Sequence, residues 1–335
     1  MPPVTVLRQL AKAIAVLATA LMPFASGAGM AQQPPTTEPL KISFVPGNAI
    51  YWDIDTAIER GFFRDEGFAP EIIVSQSSPQ SIQLLIAGQV HLSAAQPEVL
   101  LGAINHSAKG FAVMSSPADR ADWLLLGRPD IKKLADVRGQ FFGTGGLQVG
   151  ENWWTWRLLA TAGISPKDIS VLQVGTSALK FAALQKGSIA FTVLFQPTAQ
   201  QAVSLGMTTL YRFADGEPFP PILYSVAEGW AKEAEHGKRM SRALVRAHKW
   251  LFDPANRDEA IAILRKYTKR DAAILAPIYD AYFGAAALYS RDGAVDIANM
   301  NRVVGLMSEY GALPSGVTLP PERYLLPKDD GGLAR

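Results

Sequence analysis

The chain has no cysteine in its 335 residues. That absence excludes disulfides, thiolate metal sites, a thiol nucleophile and a lipid anchor on a cysteine behind a leader. An excess of one charge is lacking as well. The 32 basic residues stand against 30 acidic ones, too even a balance to attract nucleic acid or an anionic membrane surface. Histidine is scarce, and His91, His106, His236 and His248 are scattered with no metal-ligand spacing. No G-x-S-x-G or H-E-x-x-H string occurs. The glycine-rich stretch Gly143 to Gly146 is followed by no Lys-Ser/Thr, which argues against a phosphate-cradling loop. Taken together these absences imply no cofactor, no metal, no nucleic-acid partner and no conventional hydrolase machinery.

A leader is present in the pattern. Arg8 and Lys12 precede the apolar run Ala13 to Phe24, which is too short to span a bilayer, and small residues follow up to Ala31. Residues 1–31 read as a secretory signal peptide cut before Gln32, which places the mature chain in the periplasm. Without Arg8 and Lys12 the remainder holds 30 basic and 30 acidic residues and is formally neutral. Residues 32–39, rich in proline and threonine, form a linker. What remains exceeds one average domain.

The chain is organised around Lys41 to Phe68. Lys41 to Val45 reads as a strand broken by Pro46-Gly47, and the loop through Tyr51-Trp52 enters a helix with Asp53 and Asp55 in its first turn. Gly61 ends that helix, Phe62-Phe63 turns back onto the core, and Glu71 to Ser75 is the next strand. The string Ala57, Glu59, Gly61, Phe62, Phe63, Glu66, Gly67 matches A-x-E-x-G-[FY]-F-x-x-E-G. It resembles the periplasmic substrate-binding proteins of the nitrate/sulfonate/taurine class of ABC importers (SsuA/THI5-like, NMT1-like). The alternation of strand and helix carries that resemblance to about Gly229.

The resemblance implies a two-lobe α/β periplasmic binding protein fold of type II with two crossovers. On the sequence, the first lobe is expected at 40–126 and 222–335 and the second at 127–221. The pattern restarts at Arg128, and AGQVHLSAAQPEVL is echoed by KGSIAFTVLFQPTAQQA, each a helix, Gly, strand and Gln-Pro. The stretch after Ala231 reads as helices.

Six loops at strand carboxyl ends would then face one cleft. They offer Tyr51, Trp52, Ser77 and Gln96 from the first lobe. From the second they offer Thr144, Gly145, Asn152, Trp153, Thr176, Ser177, Phe195 and Gln196. Aromatic rings beside small hydroxyls and amides suit a small ligand with a polar head and a planar or apolar body. Blander roles stand beside these: Ser77 and Thr176 as N-caps, the Gln-Pro pairs as helix starts, and one or more of Trp153, Trp154 and Trp156 as core. No Lys or Arg falls in the six loops, and Arg120 and Arg128, near the expected first crossover, are placed within reach of the cleft. Both a sulfonate- or nitrate-like anion, drawn by helix N-termini, and a planar heterocycle such as a pyrimidine precursor fit. The implied role is a monomeric, non-enzymatic receptor that delivers its ligand to an ABC permease and ATPase. The alternatives are an enzyme on the same fold, like the pyrimidine synthases, and a ligand-presenting sensor partner.

Overall fold

The computed structural model describes residues 37–335 apart from 107 and 315–318; the expected signal peptide and most of the linker lie outside that range. Two five-stranded sheets form the frame. The strands are β1 (Glu38–Phe44), β2 (Phe68–Val74), β3 (Leu92–Ala95), β4 (Phe111–Ser115), β5 (Leu124–Gly127), β6 (Phe141–Thr144), β7 (Ser170–Gln173), β8 (Phe191–Leu194), β9 (Thr208–Arg212) and β10 (Leu223–Ala227). The first sheet has the order β2-β1-β3-β10-β4 and the second β7-β6-β8-β5-β9. In each, three strands run parallel, and the fourth, β10 or β5, runs antiparallel to both of its neighbours.

The helices of the first half are α1 (Trp52–Glu59), α2 (Phe62–Asp65), α3 (Ser78–Ile86) and α4 (Pro97–Asn105). The second sheet carries α5 (Gly150–Ala160), α6 (Ser177–Lys186) and α7 (Thr198–Ser204). After β10 come α8 (Glu228–Lys232), α9 (His236–Leu251), α10 (Arg257–Thr268), α11 (Ala272–Phe283) and α12 (Ile297–Glu309). Gly61 sits between α1 and α2 at φ +73°, the left-handed conformation that lets the chain reverse there without a Cβ clash.

Two expectations about the lobes change. Strand Leu124–Gly127 pairs with β8 and β9, so it belongs to the second sheet and the first crossover lies between Ser115 and Leu124, ahead of the expected boundary at 127. A four-residue run of Leu-Leu-Leu-Gly is buried on both faces and shows no alternation that would assign it to either sheet. Strand β9 was not expected at all; it closes the far edge of the second sheet. The C-terminal helices do not all cover the first lobe either, because α12 packs against both α4 and α5. An apolar cluster thus runs between the lobes through Leu100, Leu101, Trp153, Trp156, Val303 and Met307.

The first lobe is pinned from inside by Asp53. Its carboxylate is fully buried and accepts from the Tyr224 hydroxyl of β10 at 2.6 Å, the Ile54 N–H at 2.8 Å and His248 Nε2 of α9 at 2.9 Å. The other ring nitrogen of His248 donates to the Ser290 carbonyl at 2.6 Å. One acidic side chain therefore joins the N-terminal helix to the strand and helix that return after the second crossover. Replacing Asp53 with Ala strands the Tyr224, Ile54 and His248 donors and is expected to lower stability by about 3–5 kcal/mol in urea unfolding. A loss under about 1 kcal/mol would show that Tyr224 and His248 find other partners.

Candidate functional site

Strand order 2-1-3 in both sheets creates a switch point on each side, and the carboxyl ends of the strands there face one another across the lobes. Between them lies a small cavity of ≈ 50 Å³. Every one of the six loops contributes to its wall. From the first lobe come Val45, Asn48 and Tyr51, then Gln76 to Pro79, and Gln96; from the second come Gly145, Val149 and Glu151, then Gly175 to Ser177, and Phe195. Ile222 at the second crossover and Lys180 from α6 complete it.

The lobes touch around this cavity. The Ala49 N–H donates to the Gln196 carbonyl at 2.8 Å, Glu151 N–H reaches Gln96 Oε1 at 3.4 Å, and the Glu98 carboxyl receives the Gly150 N–H. Each lobe also builds its wall in the same way. The hydroxyl of the first residue of α3, Ser78, accepts from Gln96 N–H at 3.2 Å, and that of the first residue of α6, Ser177, accepts from Phe195 N–H at 3.3 Å. The positions before them, Ser77 and Thr176, cap the helices by accepting from Gln80 and Leu179 N–H. Capping and wall-lining are combined in these two residues.

That symmetry corrects the reading of the Gln-Pro echo. Ala95 pairs with Leu223 and Leu194 with Leu124 as the last residues of β3 and β8, so Gln96 corresponds to Phe195, one residue ahead of Gln196. The extra residue turns Gln196 away. Its Oε1 accepts from Gln200 N–H at 3.0 Å, and its side chain lines a separate cavity of ≈ 350 Å³ with Asp122 and Tyr282.

Of the other residues expected in the cleft, Tyr51, Ser77, Gly145, Thr176 and Ser177 line the cavity with Gln96 and Phe195. Trp52, Thr144, Asn152 and Trp153 do not. Trp52 is core: its ring meets Tyr279 and Phe283 edge-on at 5.6 and 5.4 Å, and its Nε1 donates to the Ala260 carbonyl at 2.9 Å. Trp153 is buried in the interlobe cluster with Trp154 and Trp156, and Trp154 stacks on Phe219 of the second crossover at 4.0 Å. Thr144 and Asn152 lie behind the wall, where the Thr144 hydroxyl meets Asn152 Oδ1 at 2.6 Å and Asn152 Nδ2 donates to the Gly146 carbonyl at 2.8 Å. They shape the loop that holds Gly145. Arg120 and Arg128 are elsewhere too, on the carbonyls of Ala214 and Gly216 and on Asp130.

The cation of the site is Lys180, which the loop-by-loop reading missed. It stands one turn into α6, four residues after Thr176, a spacing that returns it to the face of the helix start. Its ammonium donates to Glu151 Oε1 at 3.0 Å and Oε2 at 2.8 Å and lies 5.0 Å over the Phe195 ring. Both side chains of the pair are 1% exposed. Glu151 Oε1 also accepts Gly145 N–H at 2.7 Å and sits 3.1 Å from the Thr144 hydroxyl. Burying such a pair costs several kcal/mol of desolvation per ion in general, and breaking it costs about 3–5 kcal/mol.

Burial raises Glu98 to about 7, with the Glu151 charge adding to the rise and the Gly150 N–H opposing it. Burial likewise raises Asp122 to about 6, against the hydrogen bond from Tyr282, and it raises the Tyr51 phenol, so the cavity presents a neutral hydroxyl there.

A sequence model of the NMT1-like family matches residues 33–265. The chain belongs to the NMT1-like family. Comparison with curated protein sequences finds no match, so likenesses come from solved structures. This NMT1-like chain is similar in fold to the alkanesulfonate-binding protein SsuA from Xanthomonas axonopodis pv. citri bound to MOPS (TM-score 0.70, 16% identity, 84% of this chain and 96% of that one). It is similar to the periplasmic nitrate-binding protein NrtA from Synechocystis PCC 6803 (TM-score 0.69, 16% identity, 90% and 87%). It is also similar to the desulfurization enzyme DSZB (TM-score 0.64, 15% identity, 88% and 97%). The fold is the two-lobe periplasmic binding protein fold.

The interlobe carboxyl of Glu98 gives this NMT1-like protein a pH signature. Its folded value lies above the ordinary 4.5, so the folded state holds the extra proton and stability declines as pH rises from about 4.5 to about 7. Glu98→Gln is expected to flatten that part of the urea-midpoint profile and to be the more stable form at pH 8. A profile unchanged by the substitution would place the titrating group elsewhere.

Proposed function

We propose that this protein is a periplasmic solute receptor that captures one small molecule in the interlobe cavity and delivers it to an ABC importer. The observation that carries the reading is the cavity itself, walled by loops from both sheets at the carboxyl ends of their strands. Contacts from both lobes exist together only when the lobes close, so a ligand there favours closure by differential binding. The interlobe cluster around Trp153 and Met307 supplies the apolar seat for that movement. The family match, and the solute-binding roles printed for SsuA and NrtA, support the same reading. On this reading the protein works as a monomer, and export by the leader at residues 1–31 places it beside the permease.

The enzyme alternative draws on the likeness to DSZB. Against it, no histidine lines the cavity and the chain has no cysteine, so the wall holds neither a thiol nor an imidazole base to activate its serines. His248 and Asp53 are hydrogen-bonded to each other within the first lobe, sealed from the cavity.

A thermal-shift panel on the chain from Gln32 tests the reading. A solute at about 100 times its dissociation constant adds roughly 2.7 kcal/mol and leaves unchanged on denaturation, whereas turnover of every binding solute would favour the enzyme. Small-angle scattering should give a smaller radius of gyration with that solute bound. Gln96→Ala is expected to weaken binding by about 0.5–1.5 kcal/mol, and Gln196→Ala to leave it unchanged because its side chain faces the other cavity. Equal effects of the two would overturn the one-residue offset.

A further inference from the structure

We propose that Glu151 sets the charge selectivity of the cavity by holding Lys180 neutralised, so that the site accepts a ligand without net negative charge and excludes small oxyanions. The inference rests on the receptor reading above and narrows its ligand.

Among the described residues, Lys180 is the one cationic side chain lining the cavity and Glu151 the one carboxylate. An incoming oxyanion therefore meets a charge of each sign at nearly the same place. Glu151 cannot easily step aside. Besides Lys180 it holds the Gly145 N–H and stands against the Thr144 hydroxyl, and all of these bonds would be lost if it swung away from a buried position.

Three of the backbone donors that might hold an anion are already taken by the protein. Gly145 N–H goes to Glu151, and Gly150 N–H, at the start of the 11-residue α5, goes to the Glu98 carboxyl. Glu151 N–H points to Gln96 Oε1. At the starts of α3 and α6, Ser77 and Thr176 take one N–H each, those of Gln80 and Leu179. The Glu151 carboxylate thus holds both the Lys180 ammonium and the Gly145 N–H that an oxyanion would otherwise use, and its own charge repels a second anion there. The hydroxyls of Ser77, Thr176 and Tyr51 and the ring of Phe195 remain to receive a neutral polar molecule. The ligands printed for the structurally similar SsuA and NrtA accordingly do not transfer to this cavity.

Three probes at constant ionic strength test this: sodium nitrate, sodium methanesulfonate and neutral methanesulfonamide, each compared with sodium chloride in thermal unfolding. The unaltered protein should show no stabilisation by either anion beyond chloride. Glu151→Gln keeps the shape and an oxygen for the Gly145 N–H but leaves Lys180 without its counter-ion. Methanesulfonate and nitrate should then raise its midpoint by about 3 °C or more in a saturable way, methanesulfonamide should not, and the double variant Glu151→Gln/Lys180→Met should lose the response. If Glu151→Gln does not fold in chloride, the same anions should restore its folding. Anion-specific stabilisation of the unaltered protein, or no anion response in Glu151→Gln, overturns the proposal. The receptor reading survives either result and fails only if no solute of any charge binds the unaltered chain.

Discussion

Each sheet depends on a strand delivered from the other side of a crossover. Strand β5 leaves the first lobe to lie antiparallel between β8 and β9, and β10 returns to lie between β3 and β4. A sheet with its fourth place empty would expose the backbone groups of both neighbours to water. The two lobes therefore complete one another's backbone pairing, and the two linking segments are forced to run side by side. Ser116 and Ile222 meet there through a hydroxyl-to-carbonyl bond of 3.2 Å. The cavity lies at this junction because the strand ends that form it are fixed by the same exchange.

Rigidity and adjustability are divided accordingly. Asp53 locks the first lobe from the inside with hydrogen bonds to three elements, far from any solvent. The groups joining the lobes are of another kind: a backbone bond at Ala49, a carboxyl at Glu98 that burial leaves near neutrality, and an apolar seat shared by α4, α5 and α12. These are contacts that a modest rotation can break and remake, since none requires a charge to be exposed permanently.

The electrostatics of the cavity follow from a general cost. A lone ammonium at the depth of Lys180 would lose much of its hydration, and Glu151 offsets this at the expense of the charge that an anionic ligand would use. The carboxylate is in turn held by a loop whose geometry Thr144 and Asn152 maintain. Residues behind the wall thus decide the charge character of the wall, although they do not line it.

Much of this could be read from the chain. The β-loop-α-β unit around Gly61 and the six strand-end loops come from local spacing, and local spacing is a property of neighbours in sequence. Capping by Ser77 and Thr176 belongs to the same class. What the tertiary structure decided depends on register and burial. A run such as Leu124–Gly127 pairs with whichever sheet needs it, Trp52 and Trp153 look alike in sequence whether they face ligand or core, and one extra residue before Pro197 is enough to turn Gln196 out and bring Phe195 in. Lys180 and Glu151 are 29 residues apart. Only folding brings their charges to hydrogen-bond distance, because attraction between charges acts through space and not along the chain.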